Sequence, residues 1–511
     1  MTTKKHPPLT LADANRSIQS KIRLPLPMVL GNCDYKERER LLCRMNEILL
    51  ISGTESSFID CEVQKAEAAQ EGVRLTDRQR DHAQMHAKKS LRCTIARILA
   101  NESHRSFSCH LAESPLLQWF CGCDALVEIR VPSKSTLQRM ESEVPADVIT
   151  KLNRLLIVSS TKVDQDEEPK IGLCVPVDLS TIWLDSTCAK LDIHYPADWT
   201  LLRDGARSIM AAILVIRKHG LLKRMPDPKS FTAEMNGLAM EMSGASRRGR
   251  GGDKKRARKR VLRAMKQMVK KVRQHGQRYR DALEKGWKDT DLSMAQTRQI
   301  ISRMDSLLAA IPIAVKQAHD RIIGERVIPN GDKMLSLYEQ HAKVYVRGKA
   351  GADVEFGLQL LVCESVEGLI VDCLLKQNVI ANDSTLLIPA IKRIRKEYGD
   401  TSASTVVGDR GFTSKKNAQE LKDLKVIDAN LPRSPKDMAE FLKLPGNRDL
   451  QRRRAQTEAR IGVLKANFIG DHLPTKGFAN QQRFVAWAVL AHNLWVLSRL
   501  DQADAVLAKA N

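Results

Sequence analysis

The spacing of apolar residues changes three times along the 511 residues of this chain, and these changes constrain the fold more than any other feature. From residue 37 to about residue 156, apolar side chains recur every three or four positions, as on one face of a helix. A short β-rich run at 181–184 interrupts this spacing, which then continues to about residue 326. Beyond 328 the runs become β-rich, so the sequence predicts a protein of mixed α/β class.

The region after residue 328 predicts a sheet with helices on its faces. Three β-rich runs come first, at 343–347, 354–364 and 369–375. The last two are separated by a turn of hairpin length. Helices and strands then alternate, with a helix at 386–398, a strand at 405–407, a helix at 414–424 and a strand at 426–429. Three antiparallel strands followed by β-α-β alternation indicate a mixed sheet.

The charge of the chain favours an anionic partner. There are 83 Lys and Arg against 60 Asp and Glu, a formal net charge of +23. The surplus positive charges repel one another, and binding of an anionic ligand such as nucleic acid would relieve this repulsion. The surplus is concentrated at 247–280, where Asp253 is the opposing acid, and its first basic residues are Arg247, Arg248, Arg250, Lys254, Lys255, Arg256, Arg258, Lys259 and Arg260. We expect this segment to contact a nucleic-acid backbone; the alternative is a disordered or solubilising segment.

A second basic element is predicted near residue 134. Pro132 followed by Ser133 predicts a helix start, with Ser133 or Ser135 as the capping side chain. Lys134, Gln138 and Arg139 on the following helix could reach phosphates or base edges. The helix is either the recognition helix of a helix-turn-helix unit or an ordinary capped surface helix.

Cysteine usage and hydropathy narrow the class of protein further. Eleven cysteines without a CxxC pair indicate reduced thiols and neither a disulfide framework nor a zinc site. The longest apolar run, 209–216, is too short to span a membrane. The first residues are polar and have no apolar stretch of signal-peptide length behind them. We therefore expect a cytoplasmic protein.

Three acidic residues are candidates for chemistry. Asp185 stands where the apolar run TIWL ends, Asp409 follows the predicted strand TVV, and Glu458 lies in a predicted helix. Carboxylates at the ends of buried strands are expensive to desolvate unless a cation lies between them. Oxygen ligands suit Mg²⁺ or Mn²⁺, and two such ions can drive an in-line phosphodiester displacement. Taken singly, each acid could equally be an ordinary surface carboxylate.

Five motifs carry a resemblance to a known family: TIWLDST, HYPADWTLLRDG, GKAGADVEFG, VVGDRGF and RRRAQTEARIGVLK, in this order. Together they resemble the catalytic core of bacterial insertion-sequence transposases of the DDE class. The resemblance implies an RNase H-like mixed sheet flanked by helices, split into 171–221 and 328–500. It also implies an N-terminal helical DNA-binding domain at 1–163. The basic helical segment at 222–327 would then be an insertion between the first and second catalytic acids.

The resemblance also implies roles for individual residues. Asp185, Asp409 and Glu458 would be the catalytic ligands of two Mg²⁺ ions, with Mn²⁺ as the alternative ion. Arg454 and Lys465 match basic positions that hold the backbone of the transposon end. The family often has a tyrosine three residues before that arginine, where this chain has Gln451. Two further cations are expected to contact DNA: Arg410, next to a metal ligand, and Lys349, for which a glycine-based hairpin is an equal explanation.

The predicted function is that of a DNA transposase. It would cleave the ends of its insertion sequence and join the freed 3′-hydroxyls to target DNA. Its partner would be double-stranded DNA, from element ends and target, in the bacterial nucleoid. Pairing of two DNA ends implies a homodimer or larger assembly. The alternatives are an RNase H-like nuclease or resolvase that cuts without joining, and an inactive relic that only binds DNA.

Overall fold

The computed structural model describes residues 30–69, 74–125, 128–163, 169–247, 251–349, 352–377 and 380–501. The chain forms two compact units. The first unit comprises Met1–Ala189, Gln359–Leu375 and Ala381–Asn511, and the second comprises Lys190–Leu358 and Lys376–Ile380. These units group the residues differently from the four predicted segments, which stay a prediction.

Helices fill the first part of the first unit, as the apolar spacing predicts. They are α1 (Cys33–Ile51), α2 (Thr54–Ala68), α3 (Asp77–Ala100), α4 (His104–Glu113), α5 (Pro115–Cys121), α6 (Lys134–Ser142) and α7 (Ala146–Ser160). The start of α6 is the predicted one, because the hydroxyl of Ser133 accepts a hydrogen bond of 3.3 Å from the backbone N–H of Thr136. Such side-chain caps satisfy the N–H groups that a helix start leaves without partners.

Six strands form one mixed sheet in the order β2-β3-β1-β5-β6, with β4 paired to β3. Their bounds are β1 (Thr181–Lys190), β2 (Lys343–Lys349), β3 (Ala352–Glu364), β4 (Ile370–Lys376), β5 (Thr405–Val407) and β6 (Ile427–Asp428). β1 and β6 each pair with β5 in parallel, and β2 pairs with β3 antiparallel. The predicted mixed sheet is thereby confirmed.

One strand differs from the sequence prediction. β1 does not end at Asp185 but continues to Lys190, so that Asp185 lies in the middle of the strand. Burial stabilises this continuation of the strand, since Thr187, Cys188 and Ala189 are each at most 2% exposed. The polar residues at 185–186 interrupt the apolar pattern, so the sequence did not predict this second buried stretch of the strand.

The rest of the first unit is mostly helical. Its helices are α12 (Leu387–Tyr398), α13 (Lys415–Asp423), α14 (Pro435–Phe441), α15 (Asn447–Val463) and α16 (Phe478–Arg499). A π-helical segment, Leu464–Ile469, continues α15. α16 is the buried centre of this unit: its Asn493 donates 2.8 Å hydrogen bonds to Asn153 on α7 and to the carbonyl of Ile370 on β4.

The second unit contains the predicted long helices. They are α8 (Asp198–Lys218), α9 (Pro228–Arg247), α10 (Gly251–Gly286) and α11 (Met294–Ile322), and their apolar faces share one core. α8 and α10 approach closely at Gly276, where a Cβ atom would lie 2.9 Å from Cγ2 of Ile209. α10 is therefore an ordered, amphipathic member of a bundle, and the alternative of a disordered basic segment is wrong for 251–286.

In the part of the chain that the structure describes, no helix has the length and apolarity needed to cross a membrane.

Candidate active site

Asp185 lies on β1, where it is mostly buried and is influenced by other carboxylates. Its Oδ1 accepts a hydrogen bond of 2.8 Å from the backbone N–H of Ser186. Burial raises the pKa of Asp185 to about 6, and repulsion from the carboxylates of Asp409 and Glu458 adds to the rise. The charges of Asp409 and Glu458 therefore act on Asp185, although the three acids are far apart along the chain.

Asp409 is held by a tight turn after β5. At Gly408 a Cβ atom would lie 2.6 Å from Oδ1 of Asn430 and 2.9 Å from the ring of Phe412. This close approach requires glycine. The backbone N–H of Gly411 donates a hydrogen bond of 2.7 Å to Oδ1 of Asp409, and Phe412 is fully buried behind the turn. The residues GDRGF thus form a turn that fixes the carboxylate of Asp409.

A fourth acid, Asp383, lies beside Asp409. A Cβ atom on Gly411 would lie 2.9 Å from Oδ1 of Asp409 and 3.0 Å from Oδ2 of Asp383, so both carboxylates approach the same point of the backbone. Oδ1 of Asp383 accepts hydrogen bonds from the hydroxyl of Ser186, at 2.7 Å, and from the amide of Gln359, at 3.3 Å. Burial raises the pKa of Asp383, and the charge of Asp409 raises it further.

Sequence reasoning missed Asp383. In the sequence it stands in AsnAspSerThr before a predicted helix, where acids commonly cap or precede a helix start. One hint of a role for Asp383 was present in the sequence: it precedes the last two strands, and two other candidate aspartates, Asp185 and Asp409, also lie on or next to strands.

Glu458 lies on α15 and forms an ion pair along that helix. Nη1 of Arg454 is 3.2 Å from Oε1 of Glu458, and the side chain of Glu458 is 46% exposed. Arg454 and Glu458 therefore share one face of α15. Arg454 is more buried, at 21% exposure, and its charge partly offsets the repulsion that the acids exert on Asp185.

A buried carboxylate holds α15 against the sheet. Glu364, at the end of β3, accepts hydrogen bonds of 2.8 Å from Nη1 of Arg453 and from the hydroxyl of Thr457. Nε of Arg460 lies 3.3 Å from its second oxygen. The side chain of Glu364 is 1% exposed, so this charge depends on its two arginine partners.

Lys465 and Gln451 point to the protein backbone. Nζ of Lys465 donates a hydrogen bond of 2.8 Å to the carbonyl of Cys188 on β1. Nε2 of Gln451, which replaces the family's tyrosine, donates one of 2.7 Å to the carbonyl of Ala429 beside β6. Both side chains therefore brace the α15 region against strands of the sheet.

The other cations predicted to contact DNA lie on exposed or partly exposed positions. Lys134 and Arg139 are exposed on α6, and Arg410 is exposed next to Asp409. Arg248 and Arg250 lie outside the described residues, as do the side chains of Arg247 and Lys349. On α10 the exposed cations are Lys255, Arg256 and Arg260, while Lys254, Arg258 and Lys259 are partly buried.

Two acids, Glu241 on α9 and Glu325 in the loop after α11, neutralise part of the basic run. Lys255 and Lys259 lie 2.9 and 2.8 Å from the carboxylate of Glu325, and these contacts lower the pKa of Glu325 to about 2. Arg260 pairs with Glu241 at 2.8 Å. The positive charge of the run is therefore partly balanced in the fold by acids that lie outside it in the sequence.

The acids fit a divalent cation by their chemistry. All candidate donors are carboxylate oxygens, the ligands that Mg²⁺ and Mn²⁺ prefer. A buried acid with a raised pKa, such as Asp185, is stabilised as a carboxylate by a nearby cation. Within the described residues, however, no group of three or more acidic, His or Cys side chains is gathered closely enough to hold a metal ion. The side chain of Glu458 is instead paired with Arg454.

Comparison with known proteins supplies an independent observation. Residues 334–494, about a third of the chain, match the family model of the transposase DDE domain. This segment contains Asp383, Asp409 and Glu458, whereas Asp185 precedes it. The resemblance to DDE-class transposases is thereby confirmed, and a transposase-type function is indicated in general terms. A search of curated proteins finds no match, and neither does a search of solved structures.

Proposed function

We propose that this protein is a DNA transposase that cleaves the ends of a bacterial insertion sequence and joins the 3′-hydroxyls to target DNA. The observation that carries the proposal is that residues 334–494 match the transposase DDE domain, together with the effect that the charges of Asp409 and Glu458 exert on the buried Asp185. The parallel pairing of β1 with β5 and the antiparallel pairing of β2 with β3 support an RNase H-like core.

In this proposal Asp185, Asp409 and Glu458 hold two divalent ions. When bound, the ions activate the attacking oxygen and stabilise the leaving oxygen of a phosphodiester. Arg454 pairs with Glu458 along α15, and in this proposal Glu458 would exchange that partner for a metal ion. Glu364 fixes the helix that carries both residues through Arg453 and Thr457. This chemistry needs no covalent protein intermediate.

DNA contact in this proposal comes from exposed cations on several elements. Arg410 directly follows Asp409, and the first half of α10 presents further cations at its surface. Backbone phosphates are the natural partners of such side chains. Joining requires two element ends to be held together, so we infer a homodimer or larger assembly at work.

Joining of DNA strands tests the proposal. Purified full-length protein is incubated with Mg²⁺, a fragment carrying the DNA that flanks its coding sequence, and a target plasmid. We expect cleaved ends and joined products. Cleavage without joining would instead identify a nuclease or resolvase, and DNA binding without cleavage would identify an inactive relic.

Variants of the three acids assign the chemistry. Asp185→Asn, Asp409→Asn and Glu458→Gln should each abolish cleavage and joining while DNA binding persists, because each removes a metal-binding charge. The matched control is Glu440→Gln, which removes an exposed carboxylate on α14 and should leave the reaction unchanged. Retained cleavage in one of the three variants would remove that residue from the catalytic set.

A further inference from the structure

β1 extends past the end of its neighbour β5. The three residues of β5 pair with 181–183 of β1 in parallel register, and β5 ends at Val407. β1 itself continues to Lys190, so its second part, 184–190, lies beyond that end. We call this part the β1 extension. It carries Asp185, so its position in the sheet sets the position of that carboxylate.

Every second peptide group of the β1 extension points to the side on which β5 lies. The carbonyl of Ser180 accepts a hydrogen bond of 2.9 Å from the N–H of Thr405 at the start of β5. Peptide groups two residues apart in a strand point the same way, so those of Ser186 and Cys188 also point to this side. The N–H of Ser186 donates a hydrogen bond of 2.8 Å to Oδ1 of Asp185. The carbonyl of Cys188 therefore points past the end of β5.

Lys465 supplies a donor to this carbonyl. Its Nζ lies 2.8 Å from the carbonyl oxygen of Cys188 and 3.5 Å from Oγ1 of Thr187, and both strand residues are at most 2% exposed. Leaving a buried carbonyl without a donor costs free energy comparable to a lost hydrogen bond. The ammonium of Lys465 thus takes the place that a backbone N–H would occupy if β5 were longer.

The π-helical segment fixes the backbone from which Lys465 projects. The carbonyl of Lys465 accepts a hydrogen bond of 2.8 Å from the N–H of Gly470, across a turn of π-helical width. The next carbonyl, that of Ala466, accepts one of 3.1 Å from the side-chain amide of Asn101 at the end of α3. Three of the six side chains of the segment are buried. Lys465 is therefore attached to a well-anchored piece of the chain.

The contact of Lys465 is the second of two anchors that join β1 to α15 and its π-helical continuation. The first anchor is the hydrogen bond of 3.0 Å that the indole of Trp183 donates to the carbonyl of Leu450. Along the strand, Asp185 lies between the two anchors, and along the helix Glu458 lies between them. The two anchors therefore determine how far apart these two acids are held.

We propose that Lys465 is a positioning residue of the candidate active site: it holds the β1 extension and so keeps Asp185 at its distance from Glu458. The resemblance matches this lysine to a contact with DNA, but its ammonium donates to the protein's own strand. A displacement of about 1 Å at a reacting group can slow a reaction by about 100-fold. The inference rests on the proposed function in that these acids are taken as catalytic.

Replacing Lys465 by methionine tests the inference in the full-length protein. Lys465→Met keeps the length of the side chain but removes its donor and its charge. Lys465→Arg keeps both and is the conservative rescue. The matched control is Lys443→Met, which removes the same charge from an exposed lysine that pairs with Glu440.

Four measurements are made on each protein. They are amide hydrogen exchange of the β1 extension, affinity for a short DNA duplex over a series of salt concentrations, the rise in melting temperature on addition of Mg²⁺, and the rate of single-turnover DNA cleavage. Hydrogen exchange of β4 is followed in the same samples, because it separates a local opening of β1 from a general loss of stability.

We expect the amides of the β1 extension to exchange about tenfold faster in Lys465→Met, while those of β4 exchange as in the wild type. The Mg²⁺-dependent rise in melting temperature should shrink, and cleavage should fall by about 10- to 100-fold. DNA affinity should stay within about twofold of the wild type, with an unchanged salt slope. Lys465→Arg should keep the exchange protection and most of the cleavage rate, and Lys443→Met should match the wild type throughout.

Two results would overturn the inference. Weaker DNA binding by Lys465→Met, with a salt slope shallower by about 1, would assign Lys465 to a phosphate contact. Faster exchange of the β1 extension with unchanged cleavage and an unchanged Mg²⁺ effect would show that the contact stabilises the strand without positioning the acids.

Failure of the proposed function looks different from either result. A wild type that neither cleaves DNA nor responds to Mg²⁺ would contradict the transposase proposal. Hydrogen exchange and DNA affinity would then still decide whether Lys465 holds the β1 extension or contacts DNA.

Discussion

The indole nitrogen of Trp183 donates a hydrogen bond of 3.0 Å to the backbone carbonyl of Leu450. Trp183 lies on β1 two residues before Asp185, and Leu450 lies on α15, the helix that carries Glu458. The guanidinium of Arg453, on the same helix, lies over the ring of Trp183 at 4.9 Å. This contact joins the strand of the first acid to the helix of the third.

Trp183→Phe should loosen that junction. Phenylalanine keeps an aromatic ring at this position but is smaller than the indole and has no N–H, so the carbonyl of Leu450 loses its donor and the free energy of unfolding should fall by at least about 1 kcal/mol. A small displacement of α15 should also slow DNA cleavage, by roughly tenfold. Urea denaturation and single-turnover cleavage measure the two effects. Trp495→Phe is the control, because its indole has no described hydrogen bond and also stacks with an arginine, Arg499; equal rates in both variants would contradict the prediction.

Glu364→Gln should destabilise the first unit strongly. The substitution keeps the shape but leaves Arg453 and Arg460 without their buried counter-ion, which typically costs about 3 to 5 kcal/mol. The comparison is Glu440→Gln, whose exposed pair with Lys443 should be worth less than about 1 kcal/mol. Chemical denaturation of both variants gives the free energies of unfolding. A similar small loss in both would show that the arginines do not depend on Glu364.

Asp383 should position the acids beside it rather than supply a required charge. Asp383→Asn keeps an oxygen that can accept from Ser186 and Gln359, so we expect cleavage within about threefold of the wild type. Asp383→Ala removes both hydrogen bonds next to Asp185 and Asp409, and cleavage should fall by about 10- to 100-fold.

If the acids hold Mg²⁺, we expect the ion to raise the melting temperature, and this increase is a second measurement for Asp383. It should persist in Asp383→Asn and shrink in Asp383→Ala, because only the second change displaces the predicted ligands. Loss of both cleavage and the Mg²⁺ effect in Asp383→Asn would show that the charge itself is needed.

Those parts of the fold that depend on the local pattern of apolar residues were predicted correctly from the sequence. β5 has the predicted bounds, since its apolar residues are followed directly by a glycine turn, and the helical spacing located the bundle of α8 to α11. The full extent of β1 was missed because Asp185 and Ser186 interrupt its apolar pattern. Glu364, Asp383 and the pairing of Glu325 with α10 were also missed, since each depends on residues brought together only by the tertiary fold.

The pH dependence of stability should contain a contribution from His492. This side chain is fully buried on α16, packs edge-on against Phe468 at 5.2 Å, and has no described partner for its Nε2. Burial lowers the pKa of His492 to about 4, and the charge of Arg460 lowers it further. Because the folded protein favours the neutral imidazole, this contribution is fully present above pH 6.5. It should be lost progressively as the pH falls from 6.5 to about 4.

Replacing His492 by glutamine tests this contribution. The wild type should lose up to about 3 kcal/mol of stability over that pH interval from His492 alone, as a shift of this size implies. His492→Gln should carry a constant loss from altered packing but a flatter dependence on pH, because glutamine has no proton to gain. Chemical denaturation at several pH values measures the slope, with His472→Gln, an exposed histidine, as the control. Parallel slopes for the wild type and His492→Gln would mean that His492 is already protonated, or readily protonated, in the folded protein.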